Sequence, residues 1–183
     1  MKYLVKYCAF LVLLLVLAGT SCRKEPNFDL KPHINFEEIQ ETIFVDENRL
    51  KHHQITIVVY FQDGDGNLGL SPEPPAPFNS PPYDKNFIVK LLVKEPQPDG
   101  TAAFEEYQFP VAGFDLSGRF PRISNDDRPE PLEGKIKYTF DITSEFPNLA
   151  GKVAKFDIFI YDRTQPVPLK SNTVTTNEIT LLR

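Results

Sequence analysis

The sequence predicts an all-β fold, an antiparallel β-sandwich. Several stretches alternate apolar and polar residues, the period that puts every second side chain on one face of a strand. No stretch keeps a helical apolar stripe for more than a turn or two. The 17 prolines fall outside the alternating stretches, where strands end and stiff loops begin.

The N-terminus reads as a targeting segment. Lys2 and Lys6 precede the uncharged run Cys8–Ala18, then Gly19-Thr20-Ser21 and Cys22. This three-part layout predicts a secretory signal over residues 1–21. The apolar run is short of the roughly 20 residues a membrane span needs. Leu17 to Cys22 resembles the lipobox of bacterial lipoproteins. The resemblance implies that Cys22 is diacylated and becomes the new N-terminus. Residues 22–33 then form the lipidated cysteine and a polar tether, and residues 34–183 a single domain. The chain has two cysteines, Cys8 and Cys22, so none is left for a disulfide or a thiolate metal site.

Within the domain, the first half of INFEEIQETIFVD reads as a short helical turn and Thr42–Asp46 as a strand. In QITIVVYF, Ile55, Ile57, Val59 and Phe61 share one face. FIVKLLVKE places Phe87, Val89, Leu91 and Val93 together, with Lys90 and Lys94 opposite. FEEYQF offers Tyr107 and Phe109 as inward residues. KIKYTFDI separates Ile136, Tyr138, Phe140 and Ile142 from Lys135, Lys137, Thr139 and Asp141. SEFPNLAG has room for one helical turn, with Ser144 as its cap and Gly151 as its stop. AKFDIFIYD turns Phe156, Ile158 and Ile160 inward, and TVTTNEITLL closes the chain with Ile179 and Leu181 as anchors. One-sided burial and about seven strands without crossover helices predict an immunoglobulin/fibronectin-III-like sandwich.

Two connections are long: Gln62–Lys85, and Pro110–Gly134, which has room for a short strand near Arg119 to Ile123. With Asp162–Asn172 they should share one end of the sandwich. The first contains YFQDGDGNLGL, where Gly64, Gly66 and Gly69 spell a dinucleotide-binding fingerprint. Pro72, Pro74 and Pro75 deny the helix that such a turn must open, and Asp63 and Asp65 would repel a diphosphate. Two readings stay open. Asp-Gly pairs make tight turns. Asp63, Asp65 and Asn67 are also spaced as oxygen donors for calcium. An EF-hand is excluded, since Leu68 and Pro74 stand where its glycine and glutamate belong. One run supplies too few ligands, so Asp162 is the candidate fourth, with Asp126 and Asp127 behind it.

Catalytic signals are absent. His52 and His53 are adjacent on a strand and point apart, reading as a polar strand entrance; His33 lies by the tether. Glu105-Glu106 and Asp126-Asp127 read as solvated acids, and no nucleophile elbow, HExxH or CxxC occurs. Phe78, Tyr83, Phe114 and Phe120 in the long loops are either buried anchors or a contact surface for carbohydrate or protein. Of 20 basic residues, Lys2 and Lys6 leave with the signal, so 18 face 25 acidic ones, a net charge of −7. That balance excludes a nucleic-acid partner.

Ser21-Cys22, the strand entering DGDGNLGL at Val58 to Leu70, and FDIFIYDR…SNTVTTNEITL at Phe156 to Leu181 together resemble small Ig-like lipoproteins of Bacteroidota-type bacteria. The resemblance implies a lipid-anchored, non-enzymatic module of the bacterial cell envelope, at the outer membrane, that binds or scaffolds an envelope protein or glycan. The alternatives are an accessory subunit of an outer-membrane glycan-uptake or export complex, and a hydrolase using loop carboxylates.

Overall fold

A computed structural model of the chain describes residues 26–124, 126 and 128–183. The signal, Cys22, Asn125 and Asp127 lie outside them. The strands are β1 (His33–Val45), β2 (Lys51–Asp63), β3 (Phe87–Pro96), β4 (Ala102–Glu106), β5 (Leu132–Thr143), β6 (Val153–Ile160), β7 (Val174–Thr175) and β8 (Ile179–Thr180). They form two antiparallel sheets, one ordered β1-β2-β5, the other β4-β3-β6 with β7 and β8 both paired to β6. This is the sandwich the sequence predicts. In a constant-type immunoglobulin domain the fourth strand joins the first sheet; here β4 lies beside β3.

The alternating residues make the core. Ile55, Ile57, Val59 and Phe61 of β2 are buried, as are Phe87, Val89, Leu91 and Val93 of β3 and Phe156, Ile158 and Ile160 of β6. On β5, Ile136 and Ile142 are buried while Tyr138 and Phe140 are half-buried. Those two aromatic rings join the sheets. Tyr138 stacks on Phe87 with centroids 4.5 Å apart, and Phe140 meets Phe156 edge-on at 5.3 Å.

Four local expectations change. Residues 34–41 form strand, not a helical turn, because β1 pairs with β2 from His33–Gln62 to Val45–Lys51. A bulge between Phe36 and Glu38 leaves Glu37 extra. It shifts the phase of alternation, so the inward Phe36 and Ile39 fall three residues apart, a spacing found on a helix face. Tyr107 and Phe109 lie beyond the end of β4 and still pack against the core. Ser144 caps no helix; its Oγ accepts the Lys51 N–H at 3.1 Å, and a single 3-10 turn follows at Pro147–Leu149. Near Arg119 to Ile123 there is no continuous strand, only isolated bridges such as Leu70–Pro121.

The histidines do point apart. His52 stacks on Phe44 with centroids 4.8 Å apart. His53, read as part of a polar strand entrance, is fully buried. The Leu182 N–H donates to its Nδ1 at 3.1 Å, so Nε2 carries the proton and donates to Glu41 at 2.9 Å. One imidazole thus ties β1 and the C-terminal segment to β2. Burial pushes its pKa below the usual histidine value despite the Glu41 charge.

Two outcomes are expected. Phe156→Ala, which removes a ring that touches both sheets, should cost about 3–5 kcal/mol in chemical denaturation. The neutral form of His53 should persist as pH falls below about 6.5, where free histidine gains its proton. Its stability contribution is complete above that pH and declines as the unfolded chain binds the proton first. Imidazole nitrogen NMR checks it: His53 should show the Nε2–H tautomer at pH 6.5.

Candidate functional site

The candidate site forms where β2 ends. Three connections meet there: 64–86 after β2, 107–131 after β4, and 161–173 after β6. Leu68 and Leu70 are buried and pin the first to its neighbours. Leu68 bridges Asp162, its carbonyl accepts the Ile123 N–H at 3.3 Å, and the Leu70 N–H donates to the Phe120 carbonyl at 3.0 Å. Asn86 is a clamp that sequence reading missed. Buried, it donates through Nδ2 to the Phe120 carbonyl at 3.3 Å, and its Oδ1 accepts the Phe120 N–H at 2.9 Å. The clue was a lone polar residue at the entrance of a strand; a side chain that mimics a peptide satisfies a buried one.

The glycine-rich run is neither a nucleotide turn nor a simple hairpin. Gly66 and Gly69 take left-handed φ values of 66° and 86°, and a bridge, not a helix, follows. From Gly66 the chain crosses the end of the sandwich to the 161–173 loop, where Leu68 bridges Asp162. There the Arg163 N–H and Nε both donate to the Asn67 carbonyl, at 3.1 and 2.9 Å.

All four residues expected as calcium donors gather here. Asp63 is 0% exposed and Asp162 1% exposed. The Asn67 N–H donates to Asp63 Oδ2 at 3.1 Å and to Asp65 Oδ1 at 3.4 Å, and Asn67 Nδ2 donates to Asp65 Oδ2 at 2.9 Å. Asp63 Oδ1 is buried without a hydrogen-bond partner. Asp162 is spent differently. Its Oδ1 accepts the Thr164 and Leu169 N–H groups at 3.0 and 2.6 Å, and its Oδ2 accepts the Thr164 hydroxyl at 2.6 Å. Thr164 Oγ1 in turn accepts from Asn67 Nδ2 at 3.2 Å, which completes a chain from Asp65 to Asp162. Among the described residues, no group of three or more His, Cys, Asp or Glu is arranged to hold a metal ion.

The electrostatics follow from burial. Loss of solvent, and then the neighbouring Asp65 and Asp162 charges, push the Asp63 pKa up to about 7. Burial also raises that of Asp162, against the pull of its three hydrogen bonds. Asp126 pairs with Arg128 at 2.9 Å on the rim of a cleft lined by Asp65, Gly66, Asn67, Asp126, Pro129 and Arg163. Asp127 lies outside the described residues.

The loop aromatics do not gather into one surface. Phe78 and Phe120 are buried anchors, Tyr83 meets Tyr161 edge-on at 5.4 Å, and Phe114 packs with Phe109 and Phe146. Glu105 and Glu106, adjacent on β4, pair separately with Gln97 and Lys90, each at 2.8 Å.

Comparison with family models, curated proteins and solved structures finds no match for this chain.

The buried carboxyl makes a pH prediction. Unfolded, Asp63 loses its proton near 3.8; folded, it keeps it to about 7. The folded state therefore binds the proton more tightly. In chelator, stability should fall as pH rises from about 4 to about 7, by at most about 4 kcal/mol. Asp63→Asn should flatten that decline in denaturant midpoints measured across the range.

Proposed function

We propose that the chain is a lipid-anchored, non-enzymatic β-sandwich module of the bacterial outer membrane that binds or scaffolds an envelope protein or glycan. One observation carries the reading further than composition does: the segment before β1 is fastened to the loop end. The Gly64 N–H donates to the Asp29 carbonyl at 2.8 Å, and His33 pairs with Gln62 at the end of β2. A side chain on Gly64 would strike the Phe28 and Asp29 carbonyls, so glycine is what lets the two backbones touch.

The consequence is orientation. Asp29 stands seven residues after Cys22, and a fully extended chain covers at most about 25 Å over that distance. A diacylated Cys22 would hold the loop end, with its buried aspartate, close to the bilayer. The opposite end would project outward. It carries the β1–β2 turn with exposed Phe44 and Val45, the Gln97–Thr101 turn and the C-terminal segment. A partner approaching from away from the membrane meets that end first.

Anchoring is the part to test first, since two acyl chains hold a protein at a bilayer where one holds it marginally. Radiolabelled palmitate should enter the wild type in a lipoprotein-processing host and should not enter Cys22→Ser. The wild type should sediment with membranes and the variant should not. Equal labelling of both, or a wild type free of membranes, would remove the anchor and with it the proposed orientation.

A further inference from the structure

We propose that the loop end holds one divalent cation, calcium by its oxygen-only chemistry, with Asp63 and Asp65 as carboxylate ligands and the Asn67 carboxamide oxygen as a third donor. The Asp63 side chain is sealed from solvent at 0% exposure, yet its Oδ1 has no hydrogen-bond partner. Buried carboxylate oxygens are normally satisfied, so one without a protein partner calls for a proton, a water or a cation. Asp65 adds a second carboxylate beside the same group: Asp63 Oδ2, the other oxygen of that carboxylate, and Asp65 Oδ1 both accept from the single Asn67 N–H, at 3.1 and 3.4 Å. Two carboxylates this close repel unless something positive stands between them. Among the described residues, none of the ion pairs uses Asp63, Asp65 or Asp162.

The remaining donors are neutral. Asn67 Nδ2 faces Asp65 Oδ2 at 2.9 Å and Thr164 Oγ1 at 3.2 Å. Half a turn of the carboxamide presents Oδ1 to the same position, in exchange for the 3.4 Å bond that Oδ1 now accepts from the Arg163 N–H. Thr164 gives its proton to Asp162 Oδ2 and so keeps lone pairs for the ion. Asp162 is thereby a positioning residue, holding Thr164 from behind. Two acids meet the ion here, and the other donors are an amide, a hydroxyl and water. This is consistent with the absence of any group of three acids, histidines or cysteines set for a metal among the described residues. Among the described residues, no histidine or cysteine lines the neighbouring cleft, and its donors are the oxygens that suit calcium over zinc. A loose all-oxygen set suits calcium better than magnesium, which demands a strict octahedron. Asp65 and Asn67 line an open cleft, which gives the ion its path in. The proposal stands whether or not Cys22 carries lipid.

The test is thermal unfolding of the purified full-length protein in chelator, then in excess calcium chloride or magnesium chloride at matched ionic strength. An ion that binds only the folded state raises the melting temperature as it saturates the site. Calcium should raise it by several degrees, and magnesium by less. Asp63→Asn and Asp65→Asn should lose the calcium increment while showing the wild-type circular dichroism in chelator. If Asp63→Asn fails to fold, the partly exposed Asp65→Asn still decides. Calorimetric titration with calcium chloride should give one site per chain. No calcium-dependent shift in the wild type would overturn the site, as would an equal shift in both variants. A melting temperature that responds to acid but ignores calcium would assign the space at Asp63 to a shared proton and overturn it equally.

Discussion

The packing of two inner faces against each other is the constraint on which everything else depends. The described residues contain no cysteine, so no covalent link helps to hold the sheets together. Burial of alternate side chains on β2, β3, β5 and β6 supplies the driving force, and the Phe87–Tyr138 and Phe140–Phe156 contacts set the spacing between sheets. Register follows, because a slip of one residue would turn every buried side chain of a strand to solvent. With register set, β2 must end at Asp63, and the three connections must meet beyond it.

That end is built at a local cost. A fully buried carboxylate, a second one beside it and a third behind Thr164 are poor material for a stable interior. The sandwich tolerates them because the loops are fastened elsewhere, by Leu68, Leu70 and the Asn86–Phe120 clamp. Two groups oppose each other in pH dependence. Neutral His53 favours the folded state towards higher pH, and protonated Asp63 favours it towards lower pH. They sit at opposite ends of β2, so their contributions should be separable by substitution.

Much of the fold was legible because strands write their burial into a period of two. The faces of β2, β3, β5 and β6 could be read residue by residue. β1 could not, because a bulge at Glu37 breaks the period and copies the spacing of a helix. The last strand read as one piece and is two. The ladder along β6 shifts register between β7 and β8, and Thr176 Oγ1 accepts the Phe156 N–H there at 3.0 Å. His53 reads as a polar strand entrance, and nothing in the local pattern singles out Asn86. Their burial depends on partners far along the chain, Leu182 and Phe120, which no local pattern reveals.

By itself the sequence determined the sandwich, the inward faces and the meeting of three loops at one end. Those depend on alternation and chain order, which are local properties. It also placed Asp63, Asp65, Asn67 and Asp162 at a common address. Only the tertiary structure decided what each oxygen does. Asp162 is committed to Thr164 and Leu169, Asp65 to Asn67, and one oxygen of Asp63 is left buried and unanswered. Hydrogen-bond partners about a hundred residues apart are set by packing geometry, and spacing along the chain does not encode them.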